Sequence, residues 1–318
     1  MYGNGTFIAT GRDMDGGTLY NVISFDEGAS WTREKAWLDP VGSMGRLRRF
    51  AYGGKGVFAA TCMAESSHII LMSRSTNSGR TWSACEKPIA SSSLQHWEAL
   101  SGDGNGTFVA VTDSSSSGDL GKPRSMKSTD AGITWTQYAT CDDSQKWFAI
   151  TNGNGVFVAL ADPDPYGTNA NTMRSTNNGE TWSCQSPPNG VKFNYDSTSI
   201  TYGNGIFVAT TFDGTMRSTN DGVSWTSQKT NDGKEWRSVT YGNGVFVAVT
   251  RTDGAVIRTM SSTDGITWTG LPGAPDDARW DSVAYGGGKF LALGRSNLDN
   301  AGFGKADIKM MTHPGDTF

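Results

Sequence analysis

Trp236-Arg-Ser-Val-Thr-Tyr-Gly-Asn-Gly-Val-Phe-Val-Ala-Val-Thr250 is the stretch that decides the fold. Trp236 to Tyr241 alternates and is rich in β-formers, which predicts a strand, A. Gly242-Asn-Gly244 is a tight-hairpin signal, because Asn and Gly tolerate positive φ. Val245 to Thr250 predicts strand B, apolar on both faces as a strand between two other sheets must be. Arg251 to Ala255 reads as a polar loop and Val256 to Ser261 as strand C. Ser262-Thr-Asp-Gly-Ile-Thr-Trp268 then turns the chain into strand D.

The same phrase recurs along the whole chain. Its anchoring Phe falls at Phe7, Phe58, Phe108, Phe157, Phe207, Phe246 and Phe290, at spacings of 51, 50, 49, 50, 39 and 44 residues. A period of that length, built from short strands and Gly-rich turns, means a propeller or solenoid, and four antiparallel strands per repeat point to the propeller. The expectation is an all-β, seven-bladed β-propeller forming one domain over residues 1–318. The first repeat opens at its A–B hairpin and the last ends in a degenerate turn, Met311 to Phe318. Both terminal blades are therefore expected to be incomplete, with three strands each, Met1 near Phe318, and an edge on which a neighbouring chain can pair.

Composition narrows the function classes. A net charge of −4, with 18% charged residues, supplies no basic field for nucleic acid. No apolar run approaches the roughly 18 residues of a membrane span, so no membrane insertion is expected. The chain opens on a repeat rather than a basic and apolar leader, so no secretory signal is expected. Cys62, Cys85, Cys141 and Cys184 show no CxxC spacing, which favours free thiols and no metal site. His68, His96 and His313 form no triad or ligand pattern. Neither a metal nor a cofactor is expected.

The turn before strand D has a constant pattern: Ser24 to Trp31, Ser75 to Trp82, Ser128 to Trp135, Ser175 to Trp182 and Ser218 to Trp225. The sixth copy, Ser262 to Trp268, is one residue shorter. These turns resemble the Asp box, Ser-x-Asp-x-Gly-x-Thr-Trp, of sialidase-type propellers (BNR repeats). The matching residues are Asp26, Trp31, Asn77, Trp82, Asp130, Trp135, Asn177, Trp182, Asn220, Trp225, Asp264 and Trp268. The resemblance implies structural staples, with short polar side chains bonding their own turn and the Trp packing between blades.

Apart from the shorter sixth box, length variation is read in the B–C loops and the D-to-A links, with the Phe-to-Trp interval running from 18 residues in the fifth repeat to 27 in the third. Varied loops on a rigid scaffold are where binding is usually housed. Candidate binding residues on that end are Arg12, Asp13, Asp15, Asp113, Arg124, Asp162, Asp164, Tyr166, Arg295 and Asp299, with Trp37, Phe193 and Tyr195 in the links. No catalytic residue is assigned. The Phe-Arg-Ile-Pro phrase of sialidases is absent, and Arg46-Leu-Arg-Arg-Phe50 does not match it.

The chain as a whole is similar to Tyr-Gly-Asn-Gly and Asp-box propellers of bacteriophage tail fibres and other virion surface proteins. That resemblance implies a non-enzymatic virion module that recognises a host-surface glycan or another virion protein. A sialidase-type glycoside hydrolase and a bacterial propeller scaffold for protein assembly are the alternatives, with a secreted or cell-surface location as the alternative to the virion.

Overall fold

The computed structural model describes residues 1–12, 19–35, 37–38, 44–64, 70–88, 96–112, 123–162, 171–193, 198–230, 234–250, 259–271, 278–296 and 306–311. They form antiparallel sheets and no helix. The first sheet holds β1 (Tyr2–Gly3), β2 (Thr6–Arg12), β3 (Leu19–Ser24) and β4 (Thr32–Lys35). The second holds β5 (Trp37–Leu38), β6 (Met44–Gly54), β7 (Val57–Ala64) and β8 (Ile70–Ser75). The third holds β9 (Trp97–Gly102), β10 (Phe108–Thr112), β11 (Ser125–Ser128) and β12 (Thr136–Tyr138). The fourth holds β13 (Lys146–Gly153), β14 (Val156–Asp162), β15 (Asn171–Ser175) and β16 (Ser183–Gln185).

The fifth sheet holds β17 (Ile200–Gly203), β18 (Ile206–Thr211), β19 (Gly214–Ser218) and β20 (Thr226–Lys229). The sixth holds β21 (Trp236–Gly242), β22 (Val245–Thr250), β23 (Thr259–Ser262) and β24 (Thr269–Gly270). The seventh has three strands, β25 (Ala278–Gly286), β26 (Lys289–Ser296) and β27 (Ala306–Met311). These are the blades of a β-propeller. The chain divides into two compact units, one of residues 1–161 and 172–184, the other of residues 162–171 and 185–318.

Local chemistry explains the repeated phrase. The hairpin pairs Asn4-Gly5, Lys55-Gly56, Asn154-Gly155, Asn204-Gly205 and Asn243-Gly244 all have positive φ at both residues, which suits the twist of a two-residue hairpin. Tyr and Phe stand directly opposite each other across it, as in Tyr241 and Phe246 with ring centroids 4.8 Å apart. The Gly after each Tyr has a separate task. A Cβ on Gly203 would lie 2.0 Å from Cγ of Tyr241, and one on Gly242 would lie 2.0 Å from Cγ of Tyr285. Each of these glycines makes room for the aromatic ring of the next blade, and Gly3 does the same for Tyr52.

The B strands are buried along their length: Phe207, Val208 and Ala209 have no exposed surface, nor do Phe246, Val247, Ala248 and Val249. Met126, Met173 and Met216, on the C strands, are equally buried and fill the space between sheets. Trp135 packs with Ala51, Ala59 and Met72 of the second blade as well as with its own.

Several expectations need correction. The first blade does not lack strand A: Tyr2 and Gly3 pair with Phe7 and Thr6, since two residues suffice to continue a ladder already set by the hairpin. The seventh blade has three described strands, and its degenerate turn, residues 312–318, lies outside the described residues, as does the expected approach of Phe318 to Met1. The second blade carries β5 paired to β6 at the edge of its sheet away from β8, while the segment after β8 holds on by the Met72–Glu86 bridge.

The cysteines are not free. Cys62 bonds Cys85 and Cys141 bonds Cys184, with Cα atoms 6.1 and 5.4 Å apart. Sequence separations of 23 and 43 residues conceal that each pair bridges one blade's own strand or entry link to its outer segment. The Cys62–Cys85 pair fastens the same outer segment that the second blade's ladder holds so sparsely.

Candidate functional site

Each blade has two ends, and they are built differently. At the hairpin-and-box end the bonds repeat. In the first blade Ser24 Oγ donates to Asp26 Oδ1 at 2.7 Å and accepts from Gly28 N at 2.7 Å. Asp26 also accepts from Ser30 N at 2.8 Å and Ser30 Oγ at 2.6 Å. In the second blade Asn77 replaces the carboxylate, with Ser75 Oγ and Thr81 N still donating to its Oδ1. Its Nδ2 donates to Thr81 Oγ1 at 2.8 Å, so the hydroxyl turns from donor to acceptor. That dual capacity is why Asp and Asn interchange here. Asn177 and Asn220 make the same set.

These bonds hold the carboxylates ionised. For Asp26, bonds from the Ser30 side chain, the Ser30 backbone and Ser24 lower the pKa to about 2. For Asp264, burial pushes upward, but the N–H groups of Ile266 and Thr267 and the hydroxyls of Ser262 and Thr267 bring it to about 2. Asp130 is lowered in the same way, against burial, by Thr134, Ser128 and Ile133.

Two of the basic residues that precede boxes, Lys127 and Arg217, tie blades together. Lys127 Nζ reaches Glu180 Oε1 at 2.5 Å in the next blade's box, and Arg217 Nη1 donates to Asp264 O at 2.5 Å. The box Trp does likewise, with Trp182 Nε1 on Ser125 Oγ at 3.0 Å and Trp268 Nε1 on Thr215 Oγ1 at 2.9 Å. This end is consumed by structure.

The opposite end carries the B–C loops and the links. Asp13, Asp15, Asp113, Asp164, Tyr166, Asp299 and Tyr195 lie outside the described residues. Arg12, Asp162 and Arg295 end or nearly end their strands, β2, β14 and β26, which places them where the varied loops begin.

Arg124 is corrected: it is 1% exposed, its Nε donates to Asp143 O at 2.7 Å, and its N–H donates to Asp143 Oδ1. Asp143 also accepts from Thr140 N and Oγ1, so the 140–145 link is clamped onto Arg124 rather than offering it to a ligand. Phe193, at 4% exposure, is core as well.

Sequence reading missed two features of this end. Arg48 and Arg49 both reach Glu98, a 3% exposed carboxylate, at 3.0 and 3.5 Å. Consecutive strand residues ordinarily point to opposite faces, but β6 shifts register between Leu47 and Phe50, and the bulge aims both arginines one way. The available signal was Arg48-Arg49 itself. The other feature is the fifth blade's two-residue turn at Phe212, overlooked because this repeat is the shortest.

Among the described residues no group of three or more His, Cys, Asp or Glu gathers as a metal site. No described helix is long and apolar enough to cross a membrane.

No protein-family model matches the chain, and no curated protein matches it. Among solved structures 373 chains match, a breadth that ties the likeness to architecture rather than to one activity. One is YCF48 bound to D1 peptide, at 14% identity over 89% of this chain and 86% of that one, with a TM-score of 0.59. Another is the GH74 xyloglucanase from Xanthomonas campestris, at 12% identity over 98% of this chain and 64% of that one, with a TM-score of 0.50. At such identities the likeness carries the fold alone, and the fold is an all-β propeller.

Proposed function

We propose that this chain is a non-enzymatic recognition module of a virion surface, one seven-bladed Asp-box propeller over residues 1–318, which binds a host-surface glycan through its varied loop end. The observation that carries this reading is the contrast between the two ends of each blade. One end spends its polar side chains on bonds that repeat from blade to blade, as at Asp26, Asn77, Asp130, Asn177, Asn220 and Asp264. The other end holds the larger variation in length, with the Phe-to-Trp interval running from 18 to 27 residues, and that is where a rigid scaffold houses specificity.

Two disulfides support a working place outside a reducing cytosol, as on an extracellular particle. A protein partner, such as another virion protein or an assembly client, is a second reading, favoured by the peptide-bound state of YCF48. A glycan-array screen of the purified chain tests the first reading, and mass spectrometry of purified particles tests the virion. A chain that binds no glycan but cross-links to particle proteins supports the second. Hydrolysis of a fluorogenic sialoside above a heat-killed control would overturn the non-enzymatic assignment.

A further inference from the structure

We infer that Phe212, at the tip of the fifth blade, is a sugar-ring platform; this deepens the glycan reading above and rests on it. Strands β18 and β19 are joined by two residues, Phe212 and Asp213, with Thr211 opposite Gly214. Two-residue hairpins favour turns with positive φ at the first central residue, as Asn4, Asn154, Asn204 and Asn243 supply at other hairpins of this chain. Phe212 and Asp213 both keep negative φ. Local preference therefore does not choose this turn, and its neighbours have to hold it.

They do so from both sides. Phe212 N donates to Lys192 O at 2.8 Å in the incoming link, and Thr230 N donates to Asp213 O at 3.1 Å beyond the outer strand. Lys229 Nζ pairs with Asp213 Oδ2 at 2.7 Å. Gly214 admits the close backbone, since a Cβ there would lie 2.0 Å from Gln228 O. The turn is a braced knob rather than a loose loop.

On that knob Phe212 is 48% exposed, and the other large exposed hydrophobics among the described residues, Met1, Ile133 and Val223, are not aromatic. The next residue, Asp213, carries a carboxylate that pairs with the Lys229 ammonium, so charged hydrogen-bonding groups belong to the same knob. A pyranose has an apolar C–H face and a rim of hydroxyls, which suits an exposed flat ring whose turn also carries a carboxylate–ammonium pair. Because the turn is already fixed, little order is lost on binding. Departures from local rules without structural return are expected at functional positions. The knob also lies at the blade end where the loops vary.

The full chain with Phe212→Ala, Phe212→Trp and Lys229→Ala tests this on a glycan array, followed by titration of the sugars that bind wild type. Phe212→Ala is expected to weaken binding about tenfold or more with an unchanged Tm, since the removed ring is exposed. Phe212→Trp should stay within about threefold of wild type, because it keeps a flat face, and Lys229→Ala should fall between. If Phe212→Ala binds as wild type while shortening residues 163–170 abolishes binding, the platform is refuted and the glycan reading survives. If Phe212→Ala fails to fold, Phe212→Trp decides: loss of binding with a wild-type Tm refutes the platform. A wild-type chain that binds no glycan overturns both.

Discussion

Arg48 Nη1 lies 3.0 Å from Glu98 Oε1, joining the first long strand of the second blade to that of the third through a carboxylate only 3% exposed. Glu98 itself sits in a bulge, between Trp97 opposite Thr112 and Ala99 opposite Val111. Arg49 Nε adds a bond to the Glu98 carbonyl at 3.0 Å. Two bulges thus meet and close on one buried charge.

Removing the nearer arginine strands that charge. Arg48→Ala should cost about 1–3 kcal/mol in urea denaturation, the penalty of a poorly satisfied buried group. Arg49 is 49% exposed and its contact to the carboxylate is longer, so Arg49→Ala should cost under about 1 kcal/mol. Equal losses for the two would contradict this ranking.

Gly242 and Gly244 differ in what they tolerate. Gly244 has φ of 83° with nothing within 4 Å of an added Cβ, so Gly244→Ala should lose about 1–2 kcal/mol to backbone strain. Gly242→Ala drives a methyl into the Tyr285 ring and should lose about 3 kcal/mol or more. Trimming the ring in Gly242→Ala/Tyr285→Ala should cost less than the two single losses added, a coupling that a double-mutant cycle measures directly.

Acid should loosen the boxes that carry Asp and spare those that carry Asn. Asp26 and Asp264 fall from 3.8 to about 2 in the folded chain, so their stabilisation is present above pH 3.8 and is lost as pH falls toward 2. The triple variant Asp26→Asn/Asp130→Asn/Asp264→Asn keeps the turn bonds without the titration. Its melting temperature should fall less than that of wild type between pH 4 and pH 2, as read by circular dichroism; parallel pH profiles would refute the linkage.

The two disulfides should differ in accessibility. Cys62 and Cys85 are buried, whereas Cys184 is exposed. Mild reductant followed by alkylation should label Cys141 and Cys184 first in a mass spectrum. Cys62→Ser/Cys85→Ser should cost about 2–4 kcal/mol and release the outer segment of the second blade.

Arg124→Ala should lower the melting temperature and leave any binding lost only in proportion to unfolding. A variant with wild-type stability and no attachment would return Arg124 to the binding surface.

Much of the fold was readable because its causes are local. Hairpin turns at Asn243-Gly244, the apolar B strand Val245 to Thr250 and the bonded box at Asp264 each involve residues a few positions apart. The short period-two pattern also identified strands A and B of the sixth repeat to within a residue. The expected start of strand C, Val256, lies outside the described residues, and its described part runs over Thr259–Ser262.

The candidate site was less readable, and Arg124 shows why. Its position after a Ser- and Gly-rich stretch reads as loop, yet the link at Asp143, 19 residues later, folds back and buries it. Phe212 went unnoticed for the converse reason, since a short loop drew no attention and exposure is not written in composition.

The amino-acid sequence alone determined the repeat, the strand pattern within it and the chemistry of each turn, because those depend on φ preferences and side chains that bond their own backbone. Tertiary structure decided which cysteines pair, that Arg48 and Arg49 share Glu98, and that Gly203 exists to admit Tyr241. Those are contacts between segments 23 to 50 residues apart, and only the stacking of one sheet on the next brings them within bonding distance.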